Sequence, residues 1–142
     1  MDLRLIQSLA TALFIGALVG IERLQHQQSE ASSFAGIRTF MLFAMFGALC
    51  GWLSHNHGTL MPFEVGLGCT AALATAAYLV QQRRREDSIG ITTEVAALVV
   101  YLLGGITLRG HAGLAVALGI ATAALLALKK PLHEAVGRIR RE

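Results

Sequence analysis

Charge is scarce in this sequence. Only 15% of its 142 residues are Asp, Glu, Lys or Arg, against about 25% in an ordinary soluble domain. A short soluble chain has much surface for its volume and needs charge to cover it. The same shortage excludes a disordered chain, which is polar and highly charged. Cysteine is scarce too. Cys50 and Cys69 are the only two, which excludes a disulfide-stapled secreted scaffold. No nucleophile–base pair stands at a recognisable spacing, and no glycine-rich loop leads to a lysine, so nothing points to an enzyme.

Apolar residues are what the sequence has in plenty: 54% of the chain, with a mean hydropathy of +0.58. They gather in five blocks, about Leu5–Ile21, Gly36–Leu53, Phe63–Val80, Ile89–Leu108 and Ala112–Leu128. Each approaches the ~20 residues that cross ~30 Å of hydrocarbon as a helix. The blocks are continuously apolar, whereas barrel strands alternate. The expected fold is therefore all-α: a polytopic bundle of five transmembrane helices in residues 1–130, with a short basic tail over 131–142. The first block reads as a retained helix rather than a signal peptide. Asp2 offsets Arg4 ahead of it, and no A-x-A-like site follows before Glu22.

Basic residues set an orientation. Nine of the twelve Lys and Arg fall on one side of the expected spans: Arg23, Arg83–Arg85, Lys129, Lys130, Arg138, Arg140 and Arg141. Arg4 and Arg109 fall on the other, and Arg38 lies inside the second span. By the positive-inside rule the N-terminus is outside and the C-terminus cytoplasmic. The net charge of +3 then marks a membrane leaflet and calls for no nucleic acid. Arg83–Arg85 and the tail would meet anionic heads of the lipid bilayer. In the tail, Leu132, Val136 and Ile139 recur at helical spacing after Pro131, reading as a short interfacial helix or a solvated segment.

Burial alone does not bring helices together in lipid; close backbone contact between small residues does. The first span offers Gly16 and Gly20 as a G-x-x-x-G, and the second offers Gly47 and Gly51. An internal contact is the favoured reading of each, with a dimer face as the alternative. Five short helices enclose little interior, so a homodimer with a larger shared cavity is expected. Cys50 and Cys69, inside spans, read as small apolar side chains. His55 and His57 form the only metal-like spacing, read as a solvated loop pair. Gly104-Gly105 reads as a packing or bending point.

Charge inside a membrane is costly and points to function by default. Glu22 and Arg23 end the first span. Arg38 and Thr39 open the second, after Gly36. Thr92, Thr93 and Glu94 lie early in the fourth, after Gly90. Counted from Asp87, Glu94 lies about 10 Å below the surface. The alternating path places all of these in the cytoplasmic half, where they can converge on one polar pocket. Arg38 paired with Glu94 or Glu22 would satisfy buried charge. In a functional version the carboxylates hold a cation or proton in one state and the arginine in another. Oxygen ligands of this kind suit Mg2+, which takes one or two carboxylates and keeps several waters. Glu22 and Glu94 are the candidate metal ligands, with Mg2+ a ligand or substrate rather than a resident cofactor.

These residues carry a resemblance. Gly16-Ala17-Leu18-Val19-Gly20-Ile21-Glu22-Arg23 and Ala35-Gly36-Ile37-Arg38-Thr39 resemble the two opening signatures of the MgtC/SapB family of bacterial inner-membrane proteins. Gly90-Ile91-Thr92-Thr93-Glu94 is similar to a later signature, in the branch where it precedes a second hydrophobic half. The resemblance implies a multi-pass protein of the bacterial inner membrane, five helices with an outer N-terminus, and a link to magnesium limitation. It also implies, for some members, regulation of another membrane protein, including the ATP synthase, instead of transport. Virulence-type members carry a cytoplasmic C-terminal domain where this sequence has a short tail, so it reads as a minimal member or an excised domain. Ion transport or sensing at the charged pocket is the expected function; binding and modulating another membrane protein is the alternative.

Overall fold

The structure, a computed structural model, describes residues 3–26, 36–84 and 91–128. Five helices occupy them: α1 (Leu3–His26), α2 (Ile37–His57), α3 (Met61–Arg84), α4 (Thr92–Leu108) and α5 (Ala112–Ala127). Among the described residues there is no strand. The protein is all-α, and α1, α2 and α3 are each long and apolar enough to cross a membrane. α4 and α5 are shorter, with 17 and 16 residues. At 1.5 Å per residue each spans about 25 Å.

The turns follow from the residues that close them. Gly58 ends α2 with a positive φ of 64°, and its N–H donates to the His55 carbonyl at 3.4 Å. Such a left-handed cap is nearly free of strain only in glycine. Gly110, at φ 82°, turns α4 into α5. Ser54 then joins α2 to α3: its hydroxyl accepts at 3.0 Å from the Phe63 N–H, which also donates to the Leu60 carbonyl at 2.9 Å.

α4 sits at the centre and packs against each of the other four helices. α1 and α2 pack on it and on each other. α3 lies against α2 and α4 on one flank, α5 against α1 and α4 on the opposite flank, and α3 and α5 do not touch. The core is built of Ala12, Ile15 and Val19 from α1, Phe40, Ala44 and Ala48 from α2, and Ala97, Val100 and Tyr101 from α4. Outward, Phe14, Leu42, Leu49, Leu118, Ile120 and Leu125 are exposed, as the lipid-facing side of a bundle requires.

The glycines explain how close these helices come. A Cβ on Gly16 would lie 2.7 Å from the Met41 Cα, and one on Gly20 2.7 Å from the Ile37 Cα. The first G-x-x-x-G is therefore the α1–α2 seam. A Cβ on Gly47 would reach 1.9 Å from the Tyr101 carbonyl oxygen, and one on Gly104 2.0 Å from that of Ala44. Gly51 meets the Gly105 backbone in the same way. The second motif is the α2–α4 seam, and Gly104-Gly105 is its facing half. Both motifs thus lie at helix–helix seams inside the bundle. Buried hydroxyls turn to their own helices: Thr70 donates to the Gly66 carbonyl at 2.9 Å and Thr107 to that of Gly104 at 2.7 Å.

Candidate functional site

The buried face of α1 runs through Ala12, Ile15, Gly16, Val19 and Gly20. Steps of three and four residues from Val19 and Gly20 reach Arg23. The helix continues through His26, so Arg23 stays in helical phase and is carried into the bundle. Its side chain is only 7% exposed. Across the interface, Ala96, Ala97 and Val100 define the buried face of α4, and Thr93 and Glu94 lie one turn earlier on it. There Arg23 Nη2 donates a hydrogen bond to the Thr93 hydroxyl. The Glu94 carboxylate lies near enough for its charge to be felt at Arg23.

Two polar atoms of this cluster are left over. Arg23 Nε and Glu94 Oε2 are buried and have no hydrogen-bond partner among the described residues. Each such atom costs about 1–3 kcal/mol, and more when charged.

The other expected site residues take different places. Glu22, Thr39 and Thr92 are half-buried at the same end, and Arg38 is exposed. Arg38 lies two residues before the buried Phe40, hence on nearly the opposite face of α2. The inner arginine is Arg23, and its place was readable from its phase with the Gly16/Gly20 motif. Glu94 sits in the first turn of α4, because that helix starts at Thr92; the depth counted from Asp87 assumed an earlier start. Gly36 opens α2 by accepting from the Thr39 and Phe40 N–H groups at 3.0 and 3.3 Å, and makes no close approach. Gly90, Arg85 and the 131–142 tail fall outside the described residues.

His55 and His57 are in the last turn of α2, not in a loop. Two residues apart on a helix, they point to different sides. Among the described residues no three His, Cys, Asp or Glu side chains gather as a metal would need. Cys50 is half-buried and Cys69 exposed, and both are free thiols. Cys50 touches the tight spot under Gly66, where the Tyr101 hydroxyl also packs. Tyr101 donates from there to the Phe63 carbonyl at 2.9 Å, between the Phe46 and Phe63 rings.

The fold and the site define a polytopic membrane protein with ionisable side chains drawn into one end of its helix bundle. The chain belongs to the MgtC family, which it matches over residues 9–135. That stretch takes in both faces of the Arg23–Thr93–Glu94 cluster. No curated protein and no solved structure matches the chain significantly.

Proposed function

We propose that this MgtC-family protein serves cation homeostasis, with Arg23, Thr93 and Glu94 as the ion- or proton-responsive centre. The observation that carries the reading is the pair of buried atoms, Arg23 Nε and Glu94 Oε2, that have no hydrogen-bond partner among the described residues. A charge pair kept only for architecture is expected to use up its hydrogen-bonding atoms. A buried carboxylate oxygen with no hydrogen-bond partner among the described residues is one that a proton or a cation would satisfy.

The chemistry runs between two states. In one, Arg23 faces Glu94 and holds Thr93. In the other, a proton or divalent cation neutralises Glu94 and the guanidinium is released. Arg23 lies one turn from the end of α1, so its long stem can carry the head back towards water. Magnesium is the cation that the family resemblance implies. It would keep most of its waters and take one or two carboxylates, Glu94 first and Glu22 second. The positive-inside count supports a cytoplasmic position for this end, in the bacterial inner membrane that the family resemblance implies. Two states of one charged centre serve transport and sensing alike, and the test reads both.

The full chain, reconstituted in liposomes, is followed for Mg2+ and proton flux with enclosed dyes, and for Mg2+-dependent thermal stabilisation. Glu94→Gln should lose both responses by about tenfold or more, the size of one lost charge-assisted contact. Arg38→Ala, a change at an exposed site, should keep them. Folded, inserted wild type with neither flux nor a Mg2+ or pH response would overturn the reading. Weight would then pass to modulation of another membrane protein.

A further inference from the structure

The opposite end of the bundle holds two polar clefts, built of different residues. α1, α3 and α5 start at this end, and α2 and α4 finish at it. A cleft of about 600 Å³ is lined by Leu3, Arg4 and Ser8 of α1, Trp52 and His55 of α2, and Gly110 of the α4–α5 turn. A neighbouring cleft of about 470 Å³ is lined by His55, Thr59 and Leu60 of the α2–α3 turn and by Arg109. His55 and Leu108 line both, so the two clefts adjoin across those side chains.

Its charge is notable for where it stands. Twelve Lys and Arg are spread over the chain, and this end has only Arg4 and Arg109. They lie far apart in sequence, on α1 and at the α4 C-cap, yet each lines one of the two adjoining clefts. Glu64, the one described acidic residue at this end, lines neither cleft. Three helix N-termini face this end against two C-termini, so the backbone dipoles add positive potential. Ser8, Thr59, His55 and Trp52, which all carry hydrogen-bonding groups, line the same clefts. Leu3 and Leu60, both well exposed, give the rim an apolar edge.

We infer that these adjoining clefts bind a phosphate-bearing anion, with Arg4 and Arg109 as its cationic contacts. Guanidinium groups meet phosphate oxygens in a two-pronged geometry, and hydroxyl and indole donors complete the shell. Phosphate reaches this level from two sources, an anionic lipid headgroup or a soluble phosphate. The apolar rim suits the lipid, whose glycerol and first methylenes would lie on Leu3 and Leu60. The site is independent of the Arg23–Glu94 centre and does not rest on the cation reading.

Trp52 supplies a local reporter, because it is the only tryptophan of the chain and it lines the larger cleft. The full chain in phosphatidylcholine vesicles is titrated with brominated phosphatidylglycerol or brominated phosphatidylcholine, and separately with inorganic phosphate. Wild-type Trp52 should be quenched by brominated phosphatidylglycerol at a several-fold lower mole fraction than by the zwitterionic lipid. Arg4→Gln and Arg109→Gln should each weaken that preference, and together reduce it by about tenfold. Arg83→Gln, exposed at the other end, should keep it. A response of Trp52 to inorganic phosphate, lost in the double variant, would assign the soluble source; a response to lipid alone would assign the headgroup. Both arginines are exposed, so the variants fold, and helix content by circular dichroism checks it. Equal quenching by both lipids with no phosphate response would overturn the inference, as would a preference that survives in the double variant.

Discussion

Removing the Arg23 guanidinium would strip Glu94 of the charge that faces it, at a place where water is scarce. Breaking a buried pair by losing one partner costs about 3–5 kcal/mol, while replacing both partners by apolar side chains is close to neutral. Glu94 is only half-buried, so solvent screening brings the cost below that range, to about 1–3 kcal/mol. Arg23→Leu and Glu94→Leu should each lower stability by about 1–3 kcal/mol, and the double variant should lose less than the two losses added. Unfolding by sodium dodecyl sulfate in mixed micelles measures this; losses that simply add would mean that the two side chains are not coupled. The double variant also separates architecture from function, since it should fold and still fail to respond to Mg2+. Part of this centre was legible in the sequence. Glu94 and its threonines stood out because charge in an apolar block is costly. Arg38 drew notice for the same reason, but cost does not say which way a side chain points. Phase does: Arg23 repeats the register of Ala12, Gly16 and Val19, and Arg38 falls out of register with Phe40, Ala44 and Gly47.

At the scale of the helices, α2 and α4 meet backbone to backbone, and their contact has no slack. A methyl on Gly47 or Gly104 would collide with a carbonyl oxygen rather than a movable side chain. Gly47→Ala and Gly104→Ala must therefore push the two helices apart, at a cost of at least the 1–3 kcal/mol typical of overpacking. Gly68, on α3, is exposed and meets nothing within 4 Å. Gly68→Ala should instead stabilise by about 0.5–1 kcal/mol, because glycine is the poorer helix former. The same detergent titration compares the three, and equal effects would mean that the seam is looser than the structure has it. The five helices were legible as apolar blocks, and both glycine motifs as contact surfaces. Which helix each motif meets was not, since that is a property of the packed bundle. Gly104-Gly105 became meaningful only opposite Gly47 and Gly51. The H-x-H pair looked like a loop because polar residues surround it, yet the Gly58 cap lets α2 run through His57.

For the molecule as a whole, the five helices give the bundle two chemically different ends. One gathers Glu22, Arg23, Thr93 and Glu94; the other has Arg4, His55 and Arg109 around two adjoining clefts. Function depends on which end faces the cytoplasm, because an ion sensor reads the side on which its carboxylate lies. The basic residues argue for the first end: nine of twelve lie with it by the alternation of spans. Lys and Arg near span ends resist translocation, so the bias sets the insertion of the chain. The short α4 and α5 do not alter this, since a short apolar helix is accommodated by local thinning of the bilayer. With Cys50 and Cys69 replaced by alanine, a single cysteine is placed at Asn56 or at Gln82, both exposed and at opposite ends. A membrane-impermeant maleimide should label Asn56→Cys in intact bacterial cells and Gln82→Cys only after permeabilisation. The reverse pattern would turn the Arg23–Glu94 centre outward, so that it answers to cations outside the cell. The clefts of Arg4 and Arg109 would then face the cytoplasmic leaflet and its anionic lipids.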